Sequence, residues 1–159
     1  MLNFENLDQK FVEIVHSNEW KSLQEKYNSS KDIYVLGHGG NMGVADHTAV
    51  DMTRLSNGTK NAMCPGSCIV ATSLINDTSF EQWMVAWLQQ RTTNRTKAQM
   101  SESLVYGISS SGKSRDVIKA LQWASDNGMK TCLITAKPID IEIKNFWEMI
   151  GSKVKLMSF

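Results

Sequence analysis

Apolar positions in this chain follow two rhythms, helical and extended, and their alternation predicts the fold. Over residues 3–28, Phe4, Leu7, Phe11, Ile14 and Val15 recur at three- and four-residue steps, and Trp20, Leu23 and Tyr27 resume the stripe. That spacing predicts one amphipathic N-terminal helix, closed by Asn28, Ser29 and Ser30. Residues 33–36 then change rhythm: a short, continuous run of Ile33, Tyr34, Val35 and Leu36 reads as a buried strand. It breaks into Gly37-His38-Gly39-Gly40, and Asn41 stands where a helix N-cap belongs. A helix is predicted over 41–55, with Ala45, Ala49 and Met52 as a narrow stripe suited to close packing on a sheet, and Ser56-Asn57-Gly58 makes a turn.

Further along, residues 61–65 read as a short strand, and 69–75 form an apolar stretch that fits strand or helix alike. Thr78-x-x-Glu81 has the form of a capping box, predicting a helix to about Arg91 with Phe80, Met84, Trp87 and Leu88 on one side. Residues 92–101 are polar and read as a loop or a frayed helix end. Residues 104–108 are a second clear strand, ending in Ser109-Ser110-Ser111-Gly112-Lys113-Ser114. A helix over 115–127 follows, turning Val117, Ile118, Leu121 and Ala124 inward and stopping at Gly128. A third strand is predicted over 131–135 and a fourth over 140–143. Strands alternating with helices of this length give βαβ units and a parallel, doubly wound sheet. Such sheets bind ligands at the carboxyl ends of their strands, where the loops 37–41 and 109–114 both lie.

Composition narrows the function more than the fold. With 159 residues the chain makes one domain, large enough to bury roughly two thirds of its unfolded surface. A net charge of +1 provides no basic field, which argues against a nucleic-acid partner. Apolar runs are far too short for a membrane span and no leader pattern opens the chain, so a cytoplasmic location without a membrane partner is expected. The three cysteines, Cys64, Cys68 and Cys132, lack the second pair that a zinc site needs, and read as buried reduced thiols.

The candidate chemistry sits in the two loops and one helix. Residues 109–114 offer four serine hydroxyls and the N–H groups of a helix start without an acidic residue, an arrangement suited to a phosphate ester. Gly107 to Ser114 also satisfies the Walker A spacing literally. A nucleotide hydrolase is disfavoured because the strand continues to Ile108, past where the first glycine of such a loop turns the chain. His47 and Asp51, four residues apart, share a helix face as an imidazole–carboxylate pair. His38 is open to ligand contact or simple loop filling.

Taken in order, Gly37-His38-Gly39-Gly40-Asn41, Ala45 with His47-x-Ala49-x-Asp51, Asn76-Asp77-x-x-Phe80 and Gly107-Ile108-Ser109-Ser110-Ser111-Gly112-Lys113-Ser114-x-x-Val117 resemble the sugar-isomerase (SIS) domain, in its phosphoheptose isomerase branch. The resemblance covers roughly residues 30–137. It implies an α/β fold, a three-layer αβα sandwich with a parallel, flavodoxin-like sheet and an N-terminal helix. Length and periodicity together give a single domain over 1–159, with a helical segment at about 3–28 and a core at about 31–144. The resemblance also implies a homodimer or homotetramer with sites at subunit interfaces, a phosphorylated sugar as ligand, zinc as the metal and no nucleotide cofactor. On that basis Ser109, Ser110, Ser111 and Ser114 hold the phosphate, Gly39, Gly40 and Asn41 complete the cradle, and Asp77 contacts sugar hydroxyls. His47 and Asp51 match a histidine and a glutamate that take part in zinc binding and proton transfer, which makes Asp51 the general base and His47 a metal ligand or acid partner.

The chain also departs from the family. His38 replaces an asparagine, Val44 an aspartate, Asp51 is one methylene shorter than glutamate, and the residues after Asp140 do not reproduce the family's C-terminal helix bearing glutamine and histidine. Two functions follow as expectations: aldose–ketose isomerisation of sedoheptulose 7-phosphate to a heptose 7-phosphate, or a non-catalytic module that binds phosphosugars.

Overall fold

A computed structural model of the protein describes residues 6–136. The first elements are α1 (Leu7–Val15), α2 (Asn18–Asn28), β1 (Asp32–Gly37), α3 (Gly40–Leu55) and β2 (Asn61–Met63). They continue as α4 (Cys68–Asp77), α5 (Trp83–Thr92), α6 (Lys97–Ser101), β3 (Ser103–Ile108), α7 (Arg115–Asp126) and β4 (Lys130–Ile134). The four strands form one parallel sheet in the order β2-β1-β3-β4. Parallel neighbours need crossovers, which the intervening helices supply.

Strand side chains alternate between faces, and this divides the core in two. Tyr34, Leu36, Val105 and Leu133 pack with Leu74 of α4, with Trp83, Met84, Trp87 and Leu88 of α5, and with Val117, Ala120, Leu121 and Ala124 of α7. On the opposite face Ile33, Val35, Leu104, Tyr106 and Cys132 meet Ala45 and Ala49 of α3, with Leu23 and Tyr27 of α2 packed beside them. Helices on both faces of the sheet make the three layers that the alternation of elements predicts. No helix among the described residues is long and apolar enough to cross a membrane.

Three local expectations are corrected, and one left open between strand and helix is resolved. The N-terminal stripe is two helices, not one. Ser17 lies between them, its hydroxyl donating to the carbonyl of Ile14 at 2.7 Å and accepting from the N–H of Trp20 at 3.1 Å. A serine that bonds the backbone on both sides closes one helix and caps the next. Residues 69–75 are helical, because Val70, Ala71, Leu74 and Ile75 recur on one face and bury it. The box at Thr78 does not form: its hydroxyl donates back to Leu74 at 2.6 Å and ends α4, while α5 begins only at Trp83, leaving Phe80 outside the helix and exposed. The box that does form lies in the stretch expected to be loop or a frayed helix end, where Thr96 accepts from the N–H of Gln99 and the Gln99 side chain accepts from the N–H of Thr96. The strand predicted over 140–143 and the end of the expected core lie outside the described residues.

Candidate functional site

β1 and β3 run side by side in register, with Gly37 opposite Ile108, so the chain leaves both strands at the same rim of the sheet. The two departing loops touch. Asn41 Nδ2 donates to Ser110 Oγ at 3.2 Å, and Ser110 Oγ lies 3.4 Å from Asn41 Oδ1. Asn41 is free to do this because it is not the N-cap of α3. Gly39 takes that position with φ 52° and ψ −123°, a conformation open essentially to glycine alone. Gly37 answers a different demand: a Cβ there would stand 2.5 Å from the carbonyl oxygen of Asn41, so only a bare backbone lets α3 start directly over the strand end.

The serine loop is held from both sides. The N–H of Ser109 donates to the carbonyl of Ile134 at 3.0 Å and the N–H of Ala136 donates to the carbonyl of Ser110 at 3.2 Å, tying the loop to the end of β4. The N–H of Gly112 closes a turn onto the carbonyl of Ser109, and the N–H of Lys113 donates to Ser111 Oγ. The four hydroxyls are not equivalent. Ser109 is buried and shares a 2.9 Å hydrogen bond with Ser114 Oγ, whereas Ser110 and Ser111 are exposed. Ser114 is the N-cap of α7, so the positive end of that helix dipole faces the loop. Exposed hydroxyls, loop amides and a helix start within one turn make a cradle for an oxyanion. Gly107 lies inside β3, where a Cβ would meet Val117 Cγ1 at 2.8 Å; it serves helix packing and does not turn a nucleotide loop.

The other expected residues are not brought to these loops. His47 Nε2 stands 3.3 Å from Asp51 Oδ2 on α3, and Arg54 donates to Asp51 Oδ1 at 3.0 Å. The His47 side chain is 79% exposed. Asp51 is ten residues beyond Asn41, which at ~1.5 Å per residue places it ~15 Å further along the helix. It lines a cavity of about 490 Å³ between α2 and α3, with Trp20, Tyr27 and Met52 among its walls. Asp77 closes α4 and accepts from Asn76 Nδ2 at 3.2 Å; among the described residues no hydrogen bond joins it to either loop.

A zinc ion needs three or four such ligands. Among the described residues no group of three His, Cys, Asp or Glu side chains converges, so His47 and Asp51 alone do not fit that ion.

A further group of residues converges at the rim. Asp116, in the first turn of α7, is fully buried. Its Oδ2 accepts from Trp83 Nε1 at 2.9 Å and also meets His38 Nε2, while its Oδ1 has no partner. His38 stacks on Phe80 at 5.3 Å with an interplanar angle of 14° and meets Trp83 edge-on at 6.0 Å. The sequence alone does not single out Asp116, because an acidic residue in a first helical turn is the ordinary complement to the dipole.

No protein-family model matches the chain. It is 28% identical over 139 residues to the phosphoheptose isomerase of Helicobacter pylori strain P12, an alignment that covers 85% of this chain and 66% of that protein. To the phosphoheptose isomerase of Thermodesulfovibrio yellowstonii it is 29% identical over 121 residues, 72% of this chain and 56% of that one. The chain therefore spans about two thirds or less of the length of these curated relatives. Among solved structures, the phosphoheptose isomerase GmhA of Neisseria gonorrhoeae superposes with a TM-score of 0.63 at 24% identity, covering 89% of this chain and 80% of that one. A phosphoheptose isomerase of Francisella tularensis superposes with a TM-score of 0.60 at 16% identity, covering 93% and 90%. These two likenesses show a shared fold.

Proposed function

For this chain, phosphoheptose isomerase-like in sequence and built on the sugar-isomerase (SIS) fold, we propose aldose–ketose isomerisation of a phosphorylated sugar of the seven-carbon class, sedoheptulose 7-phosphate to a heptose 7-phosphate. The observation that carries the reading is the contact between Asn41 and Ser110, which joins the glycine turn and the serine loop into one cradle at a carboxyl-end rim. In this reading the ester phosphate rests on Ser110 and Ser111, the loop amides and the start of α7, with Ser109 and Ser114 bracing the loop from below. Gly39 and Gly40, whose positions are open above the backbone, let the sugar pass close to the main chain.

The reaction moves a proton between adjacent carbons through an enediol and so needs a base beside those carbons. On α3 the half-buried Asp51 carboxylate pairs with the exposed His47 imidazole. Its distance from the loops of its own chain supports a site completed by a second copy, in a homodimer or homotetramer of one-domain subunits working in the cytoplasm. A second reading, a phosphosugar-binding module without turnover, is favoured by one observation: His47 and Asp51 gather no third ligand among the described residues.

Incubation with sedoheptulose 7-phosphate, with and without added zinc, separates the two readings. Formation of the aldose supports the isomerase, and tight binding without turnover supports the module. Ser110→Ala with Ser111→Ala weakens binding about a hundredfold or more, the scale of two hydrogen bonds to a charged group; full affinity in that variant overturns both readings.

A further inference from the structure

We propose that His38 is a ligand-contacting residue that gives the rim its preference for a phosphosugar over bare phosphate, and that Asp116 is the residue that positions it. The inference rests on the phosphosugar reading and adds to it a contact on the sugar. His38 occupies the single position between Gly37, the last residue of β1, and Gly39, the N-cap of α3. It therefore belongs to the same turn that reaches Ser110 through Asn41. Its side chain is 31% exposed, so one part of the ring meets solvent while another is buried against α7.

The ring cannot swing freely. Asp116 holds Nε2, Phe80 covers one face and Trp83 closes an edge. Asp116 is itself fixed by the indole N–H of Trp83 at 2.9 Å. A carboxylate only accepts, so the Nε2 atom facing it carries the proton. That fixes Nδ1 as the free nitrogen, and among the described residues it has no hydrogen-bond partner. In the neutral ring Nδ1 accepts; in the charged ring it donates.

A sugar hydroxyl meets either state, since it is both donor and acceptor. A phosphate oxyanion accepts only, and the Asp116 carboxylate behind the ring opposes a second negative charge drawn close to it. The ligand chemistry that suits this nitrogen is thus a polyol, with its phosphate held on the serine loop. A buried carboxylate with one oxygen unpaired is costly unless a role repays it. Orienting an imidazole at a binding rim is such a role, as carboxylate–histidine pairs do elsewhere.

The test is paired titration calorimetry with sedoheptulose 7-phosphate and with inorganic phosphate, on wild type and on His38→Ala, His38→Gln and Asp116→Asn. His38→Ala is expected to bind the sugar phosphate about five- to tenfold more weakly, the size of one hydrogen bond, with inorganic phosphate unchanged. Asp116→Asn is expected to lower the same selectivity ratio by a smaller factor. Its readout beyond folding is the nitrogen-15 spectrum of His38, where the single tautomer of the wild type gives way to a mixture. His38→Gln keeps the volume of the turn and replaces the alanine variant if thermal unfolding shows that variant to be unstable. Equal losses for both ligands, or no loss for either, overturn the inference while leaving the phosphosugar reading intact. Wild-type protein that binds neither ligand overturns that reading and the inference with it.

Discussion

Single atoms decide whether the rim exists. A methyl group on residue 37 would stand 2.5 Å from the Asn41 carbonyl, a backbone atom with no rotamer to retreat into. Gly37→Ala must therefore shift the first turn of α3, and is expected to cost about 1–3 kcal/mol in urea denaturation, in line with overpacking elsewhere. Phosphosugar affinity should fall with it, because Asn41 moves away from Ser110; a variant of wild-type stability and affinity contradicts this account of the turn. The thiols make a separate case. Burial pushes Cys132 and Cys64 up to about 12, with Lys26 pulling Cys132 down a little and Asp46 pushing Cys64 further up. Cys68 is exposed. Since the thiolate is the reactive form, an alkylating reagent at about pH 8 should modify Cys68 first and leave Cys132 and Cys64 until the protein unfolds. Peptide mapping of the labelled protein checks the order, and early labelling of Cys132 contradicts the packing described.

At the scale of elements, the pattern of apolar residues predicts which segments are helix or strand better than where they begin. β1, β3, α7 and β4 fall within a residue or so of their predicted bounds, because each carries a continuous run or a regular stripe. The two capping boxes show the limit. Thr78-x-x-Glu81 and Thr96-x-x-Gln99 look alike as letters, yet only the second has its N–H groups turned to its side chains. Thr78 is claimed by the end of α4, where its hydroxyl reaches Leu74. Thr96→Ala is therefore expected to cost about 1 kcal/mol, the loss of a reciprocal cap. Glu81→Ala should cost little from any helix start, since Glu81 instead faces Arg115 and Lys119 across to α7. Chemical denaturation of both variants decides, and a larger loss at Glu81 than at Thr96 would reverse the assignment.

At the largest scale, the proposed isomerisation predicts that two chains share each site, one supplying the base to the loops of the other. Along α3, His47 stands ~9 Å and Asp51 ~15 Å from Asn41, away from the contact that joins the two loops. If the site is completed by a second copy, a cradle variant (Ser110→Ala with Ser111→Ala) and a base variant (Asp51→Asn), each inactive alone, should regain turnover when unfolded and refolded together. Mixed assemblies then hold one site with both parts intact. Continued inactivity of the mixture, beside an active wild type treated alike, places the base and the cradle in the same chain.

Residue order is enough to predict the alternation of strands and helices, the parallel sheet, and the placing of a glycine turn and a serine loop at carboxyl ends. Those follow from periodicity and chain direction, which are properties of neighbouring residues. Residue order does not reveal that Asn41 meets Ser110 across 69 positions, that His38 meets Asp116 across 78, or that His47 and Asp51 stay on a flank; the folded chain does. Contacts of that span depend on strand order and on how closely each helix lies on the sheet. Both are fixed by packing the whole core at once, so no local pattern of residues records them.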